Sequence, residues 1–184
     1  MKKTYLNSWK AWVFTAALTA LSVILTRYAS INIGTTIRIG FGRLPVMLAS
    51  VWFGPILGAI CGGAADVIGA LMSTGWNPVL TVPAVVCGIL PFFLFKLFRV
   101  RDSVSSKKEV FPNVLRTGAS VVITKVVTQG ILMTLLLAFV FKQTPEQLIV
   151  SLGIRNLITT GEAIAETAAV YALYTNKAIN RIIR

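Results

Sequence analysis

The sequence predicts an all-α integral membrane protein of six transmembrane helices, and three observations carry that prediction. Of 184 residues, 55% are hydrophobic and only 13% charged, with mean hydropathy +0.77; a soluble domain of this length needs more surface charge. The apolar residues form long runs divided by short polar or Gly/Pro-rich breaks, and at about 20 residues per span the length accommodates roughly six spans. The 18 Lys and Arg residues gather mostly at the ends of those runs, where cations set topology and meet anionic lipid rather than nucleic acid. One domain, 1–184, is expected, with any ATPase on another chain.

The first helix is expected over Trp9 to Leu25. Met1-Lys-Lys and the run that follows resemble a secretory signal, but no small-x-small cleavage site precedes Arg27, so the helix should be retained. The second runs from Leu44 to Phe53 and ends at Gly54-Pro55. At ~1.5 Å per residue that crosses about half a bilayer, unless it starts near Phe41. The third covers Ile56 to Leu71, and Ser73-Thr-Gly-Trp-Asn-Pro78 is turn chemistry. The fourth covers Val79 to Phe98, with Pro83 and Pro91 as kinks that neighbouring helices can tolerate. Lys96 to Arg116 reads as a polar loop. The fifth helix covers Thr117 to Phe141, Lys142-Gln-Thr-Pro145 breaks the chain, and the sixth runs from Leu148, or from Asn156, to Tyr174.

Six spans put both termini on one side. Lys2, Lys3, Lys10, Lys96, Arg99, Arg101, Lys107, Lys108, Arg116, Lys177, Arg181 and Arg184 share that side and outnumber Arg27, Arg38, Arg43, Lys142 and Arg155 opposite. The positive-inside bias therefore places both termini in the cytoplasm. The first outside loop, Thr26 to Pro45, then carries Arg27, Arg38 and Arg43 among Gly, Thr and Asn, against that bias. Snorkelling to lipid explains Lys142 well and these arginines less well. Their planar donor forks suit carboxylate or phosphate, and the loop reads as an anion-binding lid.

Four ionisable residues fall within the spans: Asp66, Lys125, Glu162 and Glu166. Charges at such depth face the bundle interior with a partner or a water-filled cavity. Asp66, Lys125 and Glu166 reach similar depth, so a structural Lys125–carboxylate pair is open. Glu162 and Glu166 share a helix face at i, i+4, and Glu162 divides evenly between ligand binding and structural pairing. Cys61 and Cys87 lie in apolar runs and read as buried small residues. The absence of histidine removes His-based catalysis and most zinc or iron sites. Gly54, Gly58 and Gly62, with Ala59/Gly63 and Ala65/Gly69, form small-residue rows that let helices approach closely. Ala16 and Ala20 make another such face, which packs inside the bundle or docks a second membrane protein. Trp76 and Asn77 can stack on and bond a flat heterocycle, or belong to an interfacial aromatic belt.

The blocks Ile24-Leu-Thr-Arg27, Ile37-Arg-Ile-Gly-Phe-Gly42, Leu44-Pro45, Phe53-Gly-Pro55 and Ala65-Asp66-Val-Ile-Gly-Ala70 resemble the substrate-binding S-components of energy-coupling factor (ECF) vitamin transporters, and among them the folate-specific type. Arg43 departs from that pattern, standing where an apolar residue is expected. The resemblance implies a small six-helix bundle in a bacterial cytoplasmic membrane, with an outward ligand cavity closed by the first loop. It implies folate as ligand, no cofactor, and assembly with a membrane T-component and two ATPase subunits, the first helix docking through Ala16 and Ala20. Arginines Arg27, Arg38 and Arg155 suit folate's carboxylates, Tyr28, Phe41 and Trp76 suit its rings, and Asp66, Asn77, Asn156 and Glu162 suit its polar edges. Another anionic vitamin such as pantothenate is the near alternative. A membrane-embedded lipid enzyme would need a catalytic set that does not appear, and an autonomous carrier usually shows duplicated halves.

Overall fold

The computed structural model describes residues 8–33, 37–72, 77–101, 107–142 and 145–176. Helix α1 spans Trp9–Tyr28. A hairpin of β1 (Ser30–Ile33) and β2 (Ile37–Gly40) follows, then a 3₁₀ turn at Phe41–Arg43. Helices α2 (Leu44–Phe53), α3 (Pro55–Leu71) and α4 (Pro78–Leu97) come next. Helix α5 (Lys107–Lys125) passes through a π-helical stretch, Val126–Leu132, into α6 (Met133–Phe141) without a break, and α7 covers Pro145–Thr175. Six helical rods result among the described residues. Four are long and apolar enough to cross a membrane; Phe41–Phe53 and Pro55–Leu71 are shorter.

The expected helices are all present, with shifted ends. α1 runs three residues past Leu25, so Arg27 stands in its last turn and not in a loop. The segment expected to be a polar loop up to Arg116 is helical from Lys107. Its return from α4 is closed by Asn113, whose Oδ1 accepts from the Arg101 N–H and whose Nδ2 donates to the Arg101 carbonyl, both at 2.9 Å. α7 begins at Pro145, before either expected start; proline is at home in a first helical turn, where its missing N–H has no partner to lose. The turn expected around Trp76 lies outside the described residues except for Asn77 and Pro78, as do the terminal Lys2, Lys3, Lys177, Arg181 and Arg184.

The bundle inverts the soluble pattern. The buried face of α1 is Ala11, Thr15, Thr19 and Ser22, while Trp12, Val13, Leu21 and Ile24 are exposed. Thr15 and Thr19 donate to the carbonyls four residues back, at 2.7 and 2.8 Å. Thr117, Thr124 and Thr128 do the same in the α5 rod, as do Thr160 and Thr167 in α7. Each hydroxyl is thereby satisfied within its own helix, which removes the cost of burying it. Cores of Met47, Leu48, Cys87, Phe95, Val121, Ala163 and Val170, and of Ala11, Phe53 and Leu57, fill the spaces between. Both cysteines are buried and free.

Helices α3 and α4 meet backbone to backbone. A Cβ on Gly58 would overlap the Gly88 carbonyl oxygen and lie 2.7 Å from the Ser50 Cα; one on Gly62 would overlap the Ala84 carbonyl oxygen. Gly58 and Gly62 therefore face Ala84 and Gly88 across the contact, small residues at spacing four on both helices. Gly54 is not part of this seam. It forms the α2–α3 turn at φ 98°, a left-handed conformation that favours glycine, with Pro55 starting the next helix. Gly69 has open space where its Cβ would stand. Gly58→Val should therefore destabilise the protein by at least about 2 kcal/mol, whereas Gly69→Ala should change it by less than about 0.5 kcal/mol. Thermal unfolding in detergent measures both.

Candidate functional site

The Arg-bearing loop folds as an antiparallel hairpin with Ser30 opposite Gly40 and Asn32 opposite Arg38. The signal is in the sequence: Ser-Ile-Asn-Ile and Ile-Arg-Ile-Gly alternate polar and apolar residues around Gly34-Thr-Thr, the period of a strand pair. Both hairpin ends are fixed to α1. Ser30 Oγ donates to the Thr26 carbonyl at 2.7 Å, and Ser22 Oγ donates to the Gly42 carbonyl at 2.6 Å. Two glycines permit this approach. A Cβ on Gly42 would overlap the Thr26 hydroxyl, and one on Gly40 would lie 2.9 Å from the Ser30 Cβ.

From there the chain enters the bundle. The Gly40 N–H donates to Glu162 Oε1 on α7 at 3.1 Å. Glu162 lies 17 residues beyond Pro145, about 26 Å along the helix axis. The chain thus enters α2, a ten-residue helix of about 15 Å, from beside the middle of α7.

Beneath Gly40 lies a buried ion triad. Lys125 Nζ is 2.7 Å from Glu162 Oε2 and 2.9 Å from Glu166 Oε1; Lys125 and Glu166 are fully buried and the Glu162 side chain is 9% exposed. The 2.9 Å contact is an ion pair without hydrogen-bond alignment, since neither Glu166 oxygen has a hydrogen-bond partner among the described residues. Asp66 stands apart from the triad and faces Arg43 at 3.8 Å. The structural Lys125–carboxylate pair is therefore realised with Glu162 and Glu166, and Asp66 gives Arg43 its counter-charge.

The π-helical stretch starts at the residue after Lys125. π turns inside α-helices often mark functional positions. Here the stretch brings Gly130 against Asn156 of α7, so closely that a Cβ would overlap Asn156 Oδ1. Asn156 Nδ2 donates to the Leu152 carbonyl at 2.9 Å, and its buried Oδ1 has no hydrogen-bond partner among the described residues. Arg27 is half-buried, and its Nε is likewise buried without such a partner. Arg155 is half-buried on α7 and Phe41 is 43% exposed. Tyr28 ends α1 at 85% exposure. Asn77 caps α4, accepting the Val79 N–H at 3.1 Å. Trp76 lies outside the described residues. Ala16 and Ala20 are exposed on the outer face of α1, away from its buried Thr and Ser stripe.

A family model for the substrate-specific component of ECF transporters matches residues 10–184. The chain belongs to this family. It is thus a membrane protein whose family supplies the substrate-binding part of a transporter. Among curated proteins, a folate transporter, FolT, of Clostridium novyi (strain NT) is 32% identical over 98 residues, covering 52% of this chain and 54% of that protein. The match thus spans about half the length of that relative. A solved FolT bound with folic acid superposes with TM-score 0.71 at 21% identity, over 92% of this chain and 96% of the other. A solved S-component for biotin gives TM-score 0.65 at 22% identity over the whole of both chains. The S-component bundle is therefore the fold of this chain.

Proposed function

We propose that this chain is the folate-binding subunit of an ATP-driven ECF importer. The observation that carries the reading is an arginine-bearing hairpin docked against α1 and α7 of an S-component bundle, with Arg27 Nε and Asn156 Oδ1 buried and without a hydrogen-bond partner among the described residues. Arg27 and Arg38 are assigned to the ligand's carboxylates, with Arg155 as a third cation. Phe41 and Tyr28 are assigned to the flat rings, and Trp76 joins them on its residue type alone. Asn156 Oδ1 offers an acceptor to ring N–H and amino donors. Glu162 already serves Lys125 and Gly40, Asp66 serves Arg43 and the Asn77 oxygen serves a helix cap, so these frame the site. The likeness to a folate transporter from Clostridium novyi supports the choice of vitamin, and the likeness to a biotin S-component makes other carboxylate vitamins the competitors.

In this reading the chain is a single domain in the bacterial cytoplasmic membrane, with both termini cytoplasmic. It carries no catalytic step of its own. A T-component docks on Ala16 and Ala20, and two ATPase subunits on partner chains supply the energy. Equilibrium titration of purified, ligand-stripped protein tests the assignment. Folate is expected to bind one to one with Kd on the order of 1 µM or tighter, and biotin and pantothenate far more weakly. The opposite order would move the assignment to another vitamin.

A further inference from the structure

We propose that Glu162 is a latch fastening the hairpin to the α5–α7 side of the bundle, and that Lys125 is the positioning residue that holds the latch in place. The proposal rests on reading the hairpin as the lid of a ligand site. The Glu162 carboxylate works on two sides. Oε1 accepts the Gly40 N–H at 3.1 Å, while Oε2 takes Lys125 Nζ at 2.7 Å. A hydrogen bond to an ionised acceptor is stronger than one between neutral groups, and its direction here is fixed because the lysine is fully buried. Ser22 and Ser30 tie the hairpin back to α1. Glu162 ties it across to α7.

The geometry assigns different tasks to the two carboxylates. Glu166 contacts Lys125 at 2.9 Å and lies one turn further along α7 from Glu162, which bonds the hairpin. Opening the lid therefore breaks the Gly40–Glu162 bond and can leave the Lys125–Glu166 contact intact. The latch is a single hydrogen bond seated on a buried ion pair, and a contact that opens apart from its support lets a lid move without unfolding that support.

Amide hydrogen exchange of the full chain in detergent, without ligand, tests the latch. In Glu162→Ala the amides of 37–43 are expected to exchange about tenfold faster, with those of α3 and α4 unchanged. Glu162→Gln keeps an acceptor and loses the ion pair, and should fall between. Glu166→Gln leaves Lys125 paired with Glu162 and should keep the hairpin at the wild-type rate. Folate dissociation from Glu162→Ala should quicken about tenfold while association stays within about twofold. Unchanged exchange over 37–43 in Glu162→Ala would overturn the latch, as would equal opening in Glu166→Gln. If Glu162→Ala does not fold, Glu162→Gln decides by the same comparison. Because exchange is read without ligand, a failure of folate binding would strike the vitamin assignment separately.

Discussion

Lys125→Met is expected to be among the most destabilising single substitutions in this protein, lowering stability by about 3–5 kcal/mol. Methionine fills much of the same volume, so the loss is electrostatic. It leaves Glu162 and the fully buried Glu166 one helical turn apart, with no cation within salt-bridge distance among the described residues. Breaking a buried ion pair is costly because the partner's charge stays desolvated; replacing the whole group by neutral residues is often harmless. The triple variant Lys125→Met, Glu162→Gln, Glu166→Gln should therefore recover most of the lost thermal stability. A fall in the melting temperature in the single variant and its return in the triple one would show that charge balance sets the effect. Equal melting temperatures for wild type and Lys125→Met would show instead that the triad contributes little.

Ala16→Trp is expected to abolish ATP-driven uptake by the assembled transporter while leaving folate affinity within about twofold, well under 1 kcal/mol. Ala16 and Ala20 are exposed on α1, whose buried side is the Ala11, Thr15, Thr19 and Ser22 stripe. A bulky side chain there meets no part of this chain's core. It does prevent the close helix approach that a small-xxx-small face provides. Proteoliposomes carrying the full complex, paired with binding by the isolated chain, measure the two effects. Loss of binding and uptake together would mean that this face supports the fold. Uptake at the wild-type rate would place the docking surface elsewhere.

Much of this architecture was legible in the sequence. Apolar runs gave the rods, and Gly58 and Gly62 gave a close helix contact, because burial and backbone approach depend on residue size at fixed spacing. What the small-residue rows left open was the partner. Nothing in spacing distinguishes Gly58, which abuts Gly88, from Gly69, which abuts nothing, because the contact depends on how the rods are assembled. The membrane charges were similar. Depth along the rods made a lysine–carboxylate pair available, but only the rotation of α5, α7 and α3 about their axes selects Glu162 and Glu166 over Asp66. The hairpin had a visible alternation and was obscured by its glycines and threonines. Its insertion to the depth of Glu162 depends on a long-range contact that no local pattern encodes. The π-helical stretch after Lys125 has no compositional mark at all.

At the candidate site, the arginines were identifiable because they stand against the expected positive-inside bias. Their environments were not. Arg43 proved to be matched by Asp66 at 3.8 Å, which leaves Arg27, whose buried Nε has no hydrogen-bond partner among the described residues, as the stronger candidate for an anionic ligand.

The most direct test of the account is native mass spectrometry of the small molecule that copurifies with the protein from cells grown in rich medium. The account predicts one bound species per chain with the mass of folate or a reduced folate, displaced when excess folate is added. A different vitamin held at the same stoichiometry and not displaced by folate would contradict it.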